Sequence, residues 1–206
     1  PGSLRVAVPY APLRLGAPGR RPVQTSEHPE LIFTGRTAPS AIVSIDGTLV
    51  PVDKEGLFRA VLTPTGPVKV RAFGSKLAVR ELEVLPVRVR TWNEAERVLS
   101  AEVKTPFEEV VRDPDGDVGK WTSTTMKVVK VAAEDGRLVA VGEVRCTGSG
   151  PCPAVRVLLP ANPAVSAPSP GDVLSVLGVV VRGVSLSKGM GTAVELDASF
   201  VRTLAR

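Results

Sequence analysis

The chain has 206 residues, with 26 Lys and Arg against 21 Asp and Glu, for a net charge of +5. Apolar residues make up 43% and aromatics only 4%, so any core must be built from Val, Leu, Ile and Ala, and Val favours strands over helices. No apolar run reaches the roughly 18 residues that a membrane-spanning helix needs, and a single histidine excludes a His-rich metal site.

This length accommodates one large domain or two small ones. Pro1-Gly2-Ser3 reads as a protease-cleavage remnant, and Leu4 is not preceded by a Met. The expectation is that a signal peptide, an anchor or further domains have been trimmed away. Charge is uneven. Residues 4–88 carry 12 Lys and Arg against 7 Asp and Glu, whereas residues 89–206 carry 14 against 14. The positive excess lies wholly in the first half.

In chain order, seven β-rich runs come first: Leu4–Val8, Glu30–Thr34, Ala41–Ile45, Thr48–Val52, Leu57–Leu62, Val68–Phe73 and Leu77–Leu85. Turn signals separate them, among them Asp46-Gly47, which specifies a tight type I′ hairpin. Short strands at about ten-residue spacing predict a β-sandwich. The helix-like region is Asn93–Arg112, interrupted at Pro106. There Thr105 is expected to cap a second helix and Pro106 to open it, with Glu108 and Glu109 in its first turn. Asp113-Pro114-Asp115-Gly116 stops that helix. Five further strands follow: Trp121–Val131, Leu138–Cys146, Ala154–Leu159, Val173–Arg182 and Thr192–Thr203. Three strands, a long connection and two more strands suit an OB barrel.

Two resemblances bear on these halves. Thr34-Gly35-Arg36-Thr37-Ala38-Pro39-Ser40-Ala41-Ile42-Val43-Ser44-Ile45-Asp46-Gly47, then Val52-Asp53 and Gly56-Leu57-Phe58, resembles bacterial Ig-like repeats of the disulfide-free type. In this reading Gly35 and Pro39 shape a turn between two strands, and Phe58 fills an aromatic-poor core. Over about residues 105–204, Gly119-Lys120-Trp121, the run Pro170-Gly171-Asp172-Val173-Leu174-Ser175-Val176 and Val194-Glu195-Leu196-Asp197 resemble small OB-like domains of bacterial envelope proteins. The helix usual between their third and fourth strands has no counterpart, because Asn162–Pro170 is interrupted by prolines. A second sandwich is the rival reading of this half. The expected fold is therefore all-β: an Ig-like β-sandwich over residues 4–88, then a short helix and an OB-like five-stranded barrel over 89–206. The scarcity of Asn and Gln beside abundant Ala, Arg, Gly, Pro and Val also suits a GC-rich bacterial genome.

Cys146 and Cys152 flank Thr147-Gly148-Ser149-Gly150-Pro151 at the end of an expected hairpin. Strand ends there lie about 5 Å apart, within the span a disulfide bridges. A disulfide between them implies an oxidising compartment, the periplasm or cell surface. Two buried free thiols are the alternative; two Cys with no nearby His fall short of a four-ligand zinc site.

The remaining constellations carry no chemistry. His28 sits in a turn-like stretch with no nucleophile and orienting acid assigned to it. Asp113, Asp115 and Asp117 have the spacing that opens a calcium loop, but Val118 and Thr124 stand where it needs Gly and Glu. Gly119-Lys120 lacks the rest of a phosphate loop. Gly183, Gly189 and Gly191 lie between strands, which is the wrong setting for a dinucleotide fingerprint. Glu108 and Glu109 are adjacent on a helix and cannot flank one bond. For nucleic acid the barrel offers zero net charge and few aromatics, namely Trp92, Phe107, Trp121 and Phe200.

These readings point to a non-enzymatic interaction module with no cofactor and no metal, its partners other envelope proteins. An envelope-polymer or carbohydrate binder is the alternative, drawing on surface charge such as Arg20, Arg21 and Arg36; single-stranded nucleic acid ranks lower still. The expected contact region is the loop between the last two strands, Gly183–Gly191, with Arg182 at its base, Ser185, Ser187 and Lys188 upon it, and Trp121 as a nearby apolar surface.

Overall fold

The computed structural model describes residues 8–19, 21–134, 136–144, 153–162, 165–185 and 192–204. Two sheets pack face to face in the first half. One contains β1 (Leu13–Ala17), β3 (Leu31–Thr37) and β6 (Leu57–Leu62) in the order β1-β3-β6. The other contains β4 (Ile42–Ile45), β5 (Thr48–Val50), β7 (Val68–Gly74) and β8 (Leu77–Val84) in the order β5-β4-β7-β8. All pairings in both are antiparallel. Sheets of three and four strands, with chain neighbours exchanged between them, make an Ig-like sandwich.

The period-two pattern produces this directly. Leu31 and Phe33 of β3, Phe58 of β6, Val43 and Ile45 of β4, and Val68, Val70 and Ala72 of β7 all point between the sheets and are buried. At the β4–β5 turn, Asp46 has φ 47° and Gly47 φ 83°, the left-handed pair of a type I′ hairpin. The expectation for Gly35 is corrected: it lies inside β3, not in a turn. A Cβ there would fall 2.5 Å from the Phe58 ring, so the missing side chain makes room for one of the two phenylalanines of this core. The run Leu4–Val8 lies almost wholly outside the described residues. Instead β1 supplies a strand that the sequence pattern did not suggest, since Gly16 and Pro18 blur its alternation.

β2 (Val23–Gln24) and β9 (Val87–Arg88) pair in parallel between the sandwich and the rest of the chain. α1 (Trp92–Ser100) follows, its N-terminus capped by Thr91, whose Oγ1 accepts a hydrogen bond from the Glu94 amide at 3.3 Å. α2 (Phe107–Arg112) begins one residue later than expected. Pro106 occupies its cap position with no side-chain cap bond, and the Thr105 carbonyl accepts a hydrogen bond from the Thr122 hydroxyl at 2.9 Å.

β10 (Trp121–Glu134), β11 (Arg137–Val144), β12 (Ala154–Leu158), β13 (Val173–Ser185) and β14 (Thr192–Leu204) close into a barrel in the order β10-β11-β12-β14-β13. β12 and β14 run parallel and the other pairs antiparallel. This is the five-stranded OB arrangement, and it settles the choice against a second sandwich. Register shifts in the β13–β14 pairing at Leu177/Gly178 and Val180/Arg182 bend the long strands round the closure. Met126, Val128, Val155, Val157, Leu174 and Leu196 fill the interior. Phe107 and Val110 of α2 join the same cluster, so a helix before the barrel contributes core where OB domains usually insert one between strands three and four.

Candidate functional site

The outer face of the barrel is where an OB domain ordinarily meets a ligand, and here Arg137, Arg156 and Arg182 are engaged by acids of the same face. Parallel pairing sets Arg156 of β12 beside Glu195 of β14, and antiparallel pairing sets Arg182 of β13 on its other side. Glu195 is only 3% exposed. One of its carboxylate oxygens takes Arg156, and the other stands 3.3 Å from Arg182 Nε. Arg156 also pairs with Glu134 at the end of β10. The result is a line of alternating charge, Arg182–Glu195–Arg156–Glu134. Two residues along, Arg137 is buried to 5% exposure and forks into the Leu158 carbonyl at 2.8 Å, the Leu159 carbonyl at 2.5 Å and the Asp197 carboxylate at 2.6 Å. In sequence these arginines look scattered among acids. Only the strand register joins them.

The first half sits against this face. Gly19 approaches so closely that a Cβ would lie 2.7 Å from Asp197 Oδ1, and the Gly136 turn abuts Thr34 of β3. Asn162 Nδ2 donates to the Val23 carbonyl at 3.0 Å. Beside these contacts, Val23, Val87, Ala95 and Leu99 bury against Leu177 and Phe200 on the outside of the barrel. Trp92 stacks on Phe200 with centroids 5.0 Å apart, and its indole Nε1 donates to the Val201 carbonyl at 3.2 Å.

The contact region expected from sequence is rearranged. Gly183, Val184 and Ser185 belong to β13 and pair with β14, so the strand runs three residues beyond its expected end at Arg182. Arg182 and Ser185 do share that strand end, but Arg182 is engaged by Glu195. Ser187 and Lys188 lie outside the described residues, as do Cys146 and Cys152, on which the expected disulfide falls, and Arg20. Trp121 is not an open surface near the loop. It is half-buried in the cluster beneath α1, with the Arg21 guanidinium 5.6 Å above its ring. Arg21 is therefore a packing residue rather than simple surface charge.

The acidic triplet divides its duties. Asp113 Oδ1 accepts from the Gly116 amide at 3.0 Å and Asp115 Oδ1 from the Gly183 amide at 2.9 Å. Asp117 holds Lys120 by a 2.5 Å hydrogen bond, which with the charge of Asp117 raises the lysine's pKa. Among the described residues no three His, Cys, Asp or Glu side chains gather as a metal site. His28 closes a turn in which its amide donates to Thr25 Oγ1 at 3.0 Å.

One cleft stands apart from the barrel's charge line. About 570 Å³ in volume, it lies over the outward face of β3 and β6, between the Pro51–Asp53 segment and the Gly136 turn. Arg36 and Arg59 line it beside Leu57. A smaller cleft of about 290 Å³ runs past Ser123, Thr125 and Ser175 on the barrel.

Among the described residues, no helix is long and apolar enough to cross a membrane. No family model and no curated protein matches the chain. Among solved structures, a murine DNA-binding protein bound to double-stranded DNA aligns over 85% of this chain and 87% of its own, at 13% identity and a TM-score of 0.30. A likeness at that level carries no argument about fold or function.

Proposed function

We propose that this chain is a non-enzymatic interaction module of a bacterial envelope assembly, an Ig-like sandwich presenting an OB-like barrel. The observation that carries this reading is the use made of the barrel's outer face. Its arginines are neutralised in the line from Arg182 to Glu134, and the sandwich packs against Asp197 and Gly136. A binder of linear anions needs a free cationic groove with aromatic platforms. Here Phe107 and Phe200 are buried, Trp92 is stacked on Phe200, and Trp121 is covered by Arg21. Placement in the periplasm or at the cell surface rests on the Cys146–Cys152 spacing and the resemblance to envelope repeats, and is part of the proposal.

Affinity capture of the tagged chain from its own cell envelope tests this. Recovery of a defined protein subunit is the expected result. Retention on peptidoglycan or polysaccharide without a protein would replace the reading with the envelope-polymer alternative, which the +5 excess in residues 4–88 favours. Labelling of both Cys146 and Cys152 in the unreduced, denatured protein would remove the argument for an oxidising compartment.

A further inference from the structure

We infer that the cleft over β3 and β6 is a docking site for an acidic, leucine-bearing peptide segment of a partner protein. This deepens the interaction-module reading and rests on it. Three observations converge. Register places Arg36 opposite Leu57 and Thr34 opposite Arg59, so both guanidinium-bearing positions and the leucine share one sheet face. Neither Arg36 nor Arg59 has an ion-pair partner among the described residues, in contrast to the engaged arginines of the barrel. Arg14 of β1, which has a partner of its own, stands directly opposite Arg36 and continues the same sheet face.

Among the described residues, the acid at the cleft wall, Asp53, forms no ion pair with either arginine. Asp53 Oδ1 accepts from the Glu55 amide at 3.0 Å and the Leu57 amide at 2.7 Å, which commits it to its own turn. Apolar surface completes the site, from Pro51, half-buried Val52 and Leu57, which is 37% exposed. The volume falls within the roughly 300–1,000 Å³ usual for binding pockets. Sugars and bases call for an exposed aromatic face, and the one ring here, Phe58, is turned into the core at 4% exposure. Carboxylates meeting arginine forks beside an aliphatic floor fit an acidic peptide better than either.

Fluorescence anisotropy on the full chain tests the site, with a fluorescein-labelled peptide of Glu-Glu-Leu-Leu repeats as probe. In an extended peptide this order shows Glu and Leu alternately on each face. Binding is expected to weaken with salt, to fall about tenfold or more in the Arg36→Glu, Arg59→Glu double variant, and to be unchanged in Arg80→Glu, an exposed arginine on the other sheet. Should the double reversal fail to fold, Arg36→Gln with Arg59→Gln reads the same loss at an exposed surface. Undiminished binding in the folded variants overturns the site. Tighter, arginine-dependent binding of single-stranded DNA or an anionic polysaccharide overturns the ligand class. If envelope capture recovers a protein partner but neither peptide nor partner depends on these arginines, this inference fails while the module reading stands.

Discussion

Replacing Arg137 with Met removes a guanidinium while keeping much of its apolar stem. Four bonds are lost: to the carbonyls of Leu158, Leu159 and Ala198, and to the Asp197 carboxylate. Removing one partner of a buried ion pair costs about 3–5 kcal/mol, mostly because a charge is left uncompensated. The Asp197 side chain is 17% exposed, so some water reaches it, and about 3 kcal/mol is expected. If the chain melts as one unit, each kcal/mol shifts Tm by about 2–4 °C at this size, giving a fall of about 6–12 °C. If sandwich and barrel melt separately, only the barrel transition moves. Scanning calorimetry measures this, and a double-mutant cycle with Asp197→Asn isolates the pair. Arg137→Met should cost markedly less in the Asp197→Asn background, because the ion pair between the two is already gone. A loss below about 1 kcal/mol, or an equal loss in both backgrounds, would refute the claim that this pair anchors the barrel face.

Other perturbations reach other parts of the account. Gly56→Ala places a Cβ 2.1 Å from the Thr37 carbonyl oxygen at a φ of +80°, and should cost the sandwich about 2 kcal/mol or more in urea unfolding. Gly19→Ala, with φ +90° and a Cβ 2.7 Å from Asp197 Oδ1, should loosen the seat between the halves; faster hydrogen exchange at the Arg137 and Leu138 amides would report it. Glu81 has its carboxyl held below the ordinary 4.5, first by the hydrogen bond from Arg71 and then by the charges of Arg71 and Lys69. A lowered folded-state pKa gives stability that is complete above the ordinary value and is lost as pH falls through the folded one. Glu81→Gln should therefore be less stable than wild type at about pH 7, with the gap narrowing as pH falls below the ordinary value and through the lowered folded-state one; a gap that stays constant over that fall would contradict the assignment.

The β architecture was legible because period-two alternation and turn chemistry agreed. Leu57–Leu62 was read to the residue, and Asp46-Gly47 forms the hairpin its dipeptide specifies. α1 carried its signal in Thr91-Trp92-Asn93-Glu94, a capping pattern whose glutamate accepts from the Arg90 amide at 2.9 Å. What stayed hidden depends on which strands meet. Arg156 and Glu195 are 39 residues apart and become neighbours only through the parallel β12–β14 pairing. Trp121 looked like a free aromatic because nothing local shows that α1 and Arg21 come to cover it. The same holds for the cleft. Arg36 and Arg59 lie on separate strands, and only their register places them on one face.

The most direct test of the interaction-module claim is photocrosslinking in the native envelope, with a photoreactive amino acid placed singly at Leu57, Val61, Arg182 and Ser185. The account predicts discrete adducts with a protein partner, concentrated at Leu57 and diminished by the Arg36→Gln, Arg59→Gln pair. Absence of any protein adduct from all four positions, with label recovered instead on polysaccharide or nucleic acid, would contradict it.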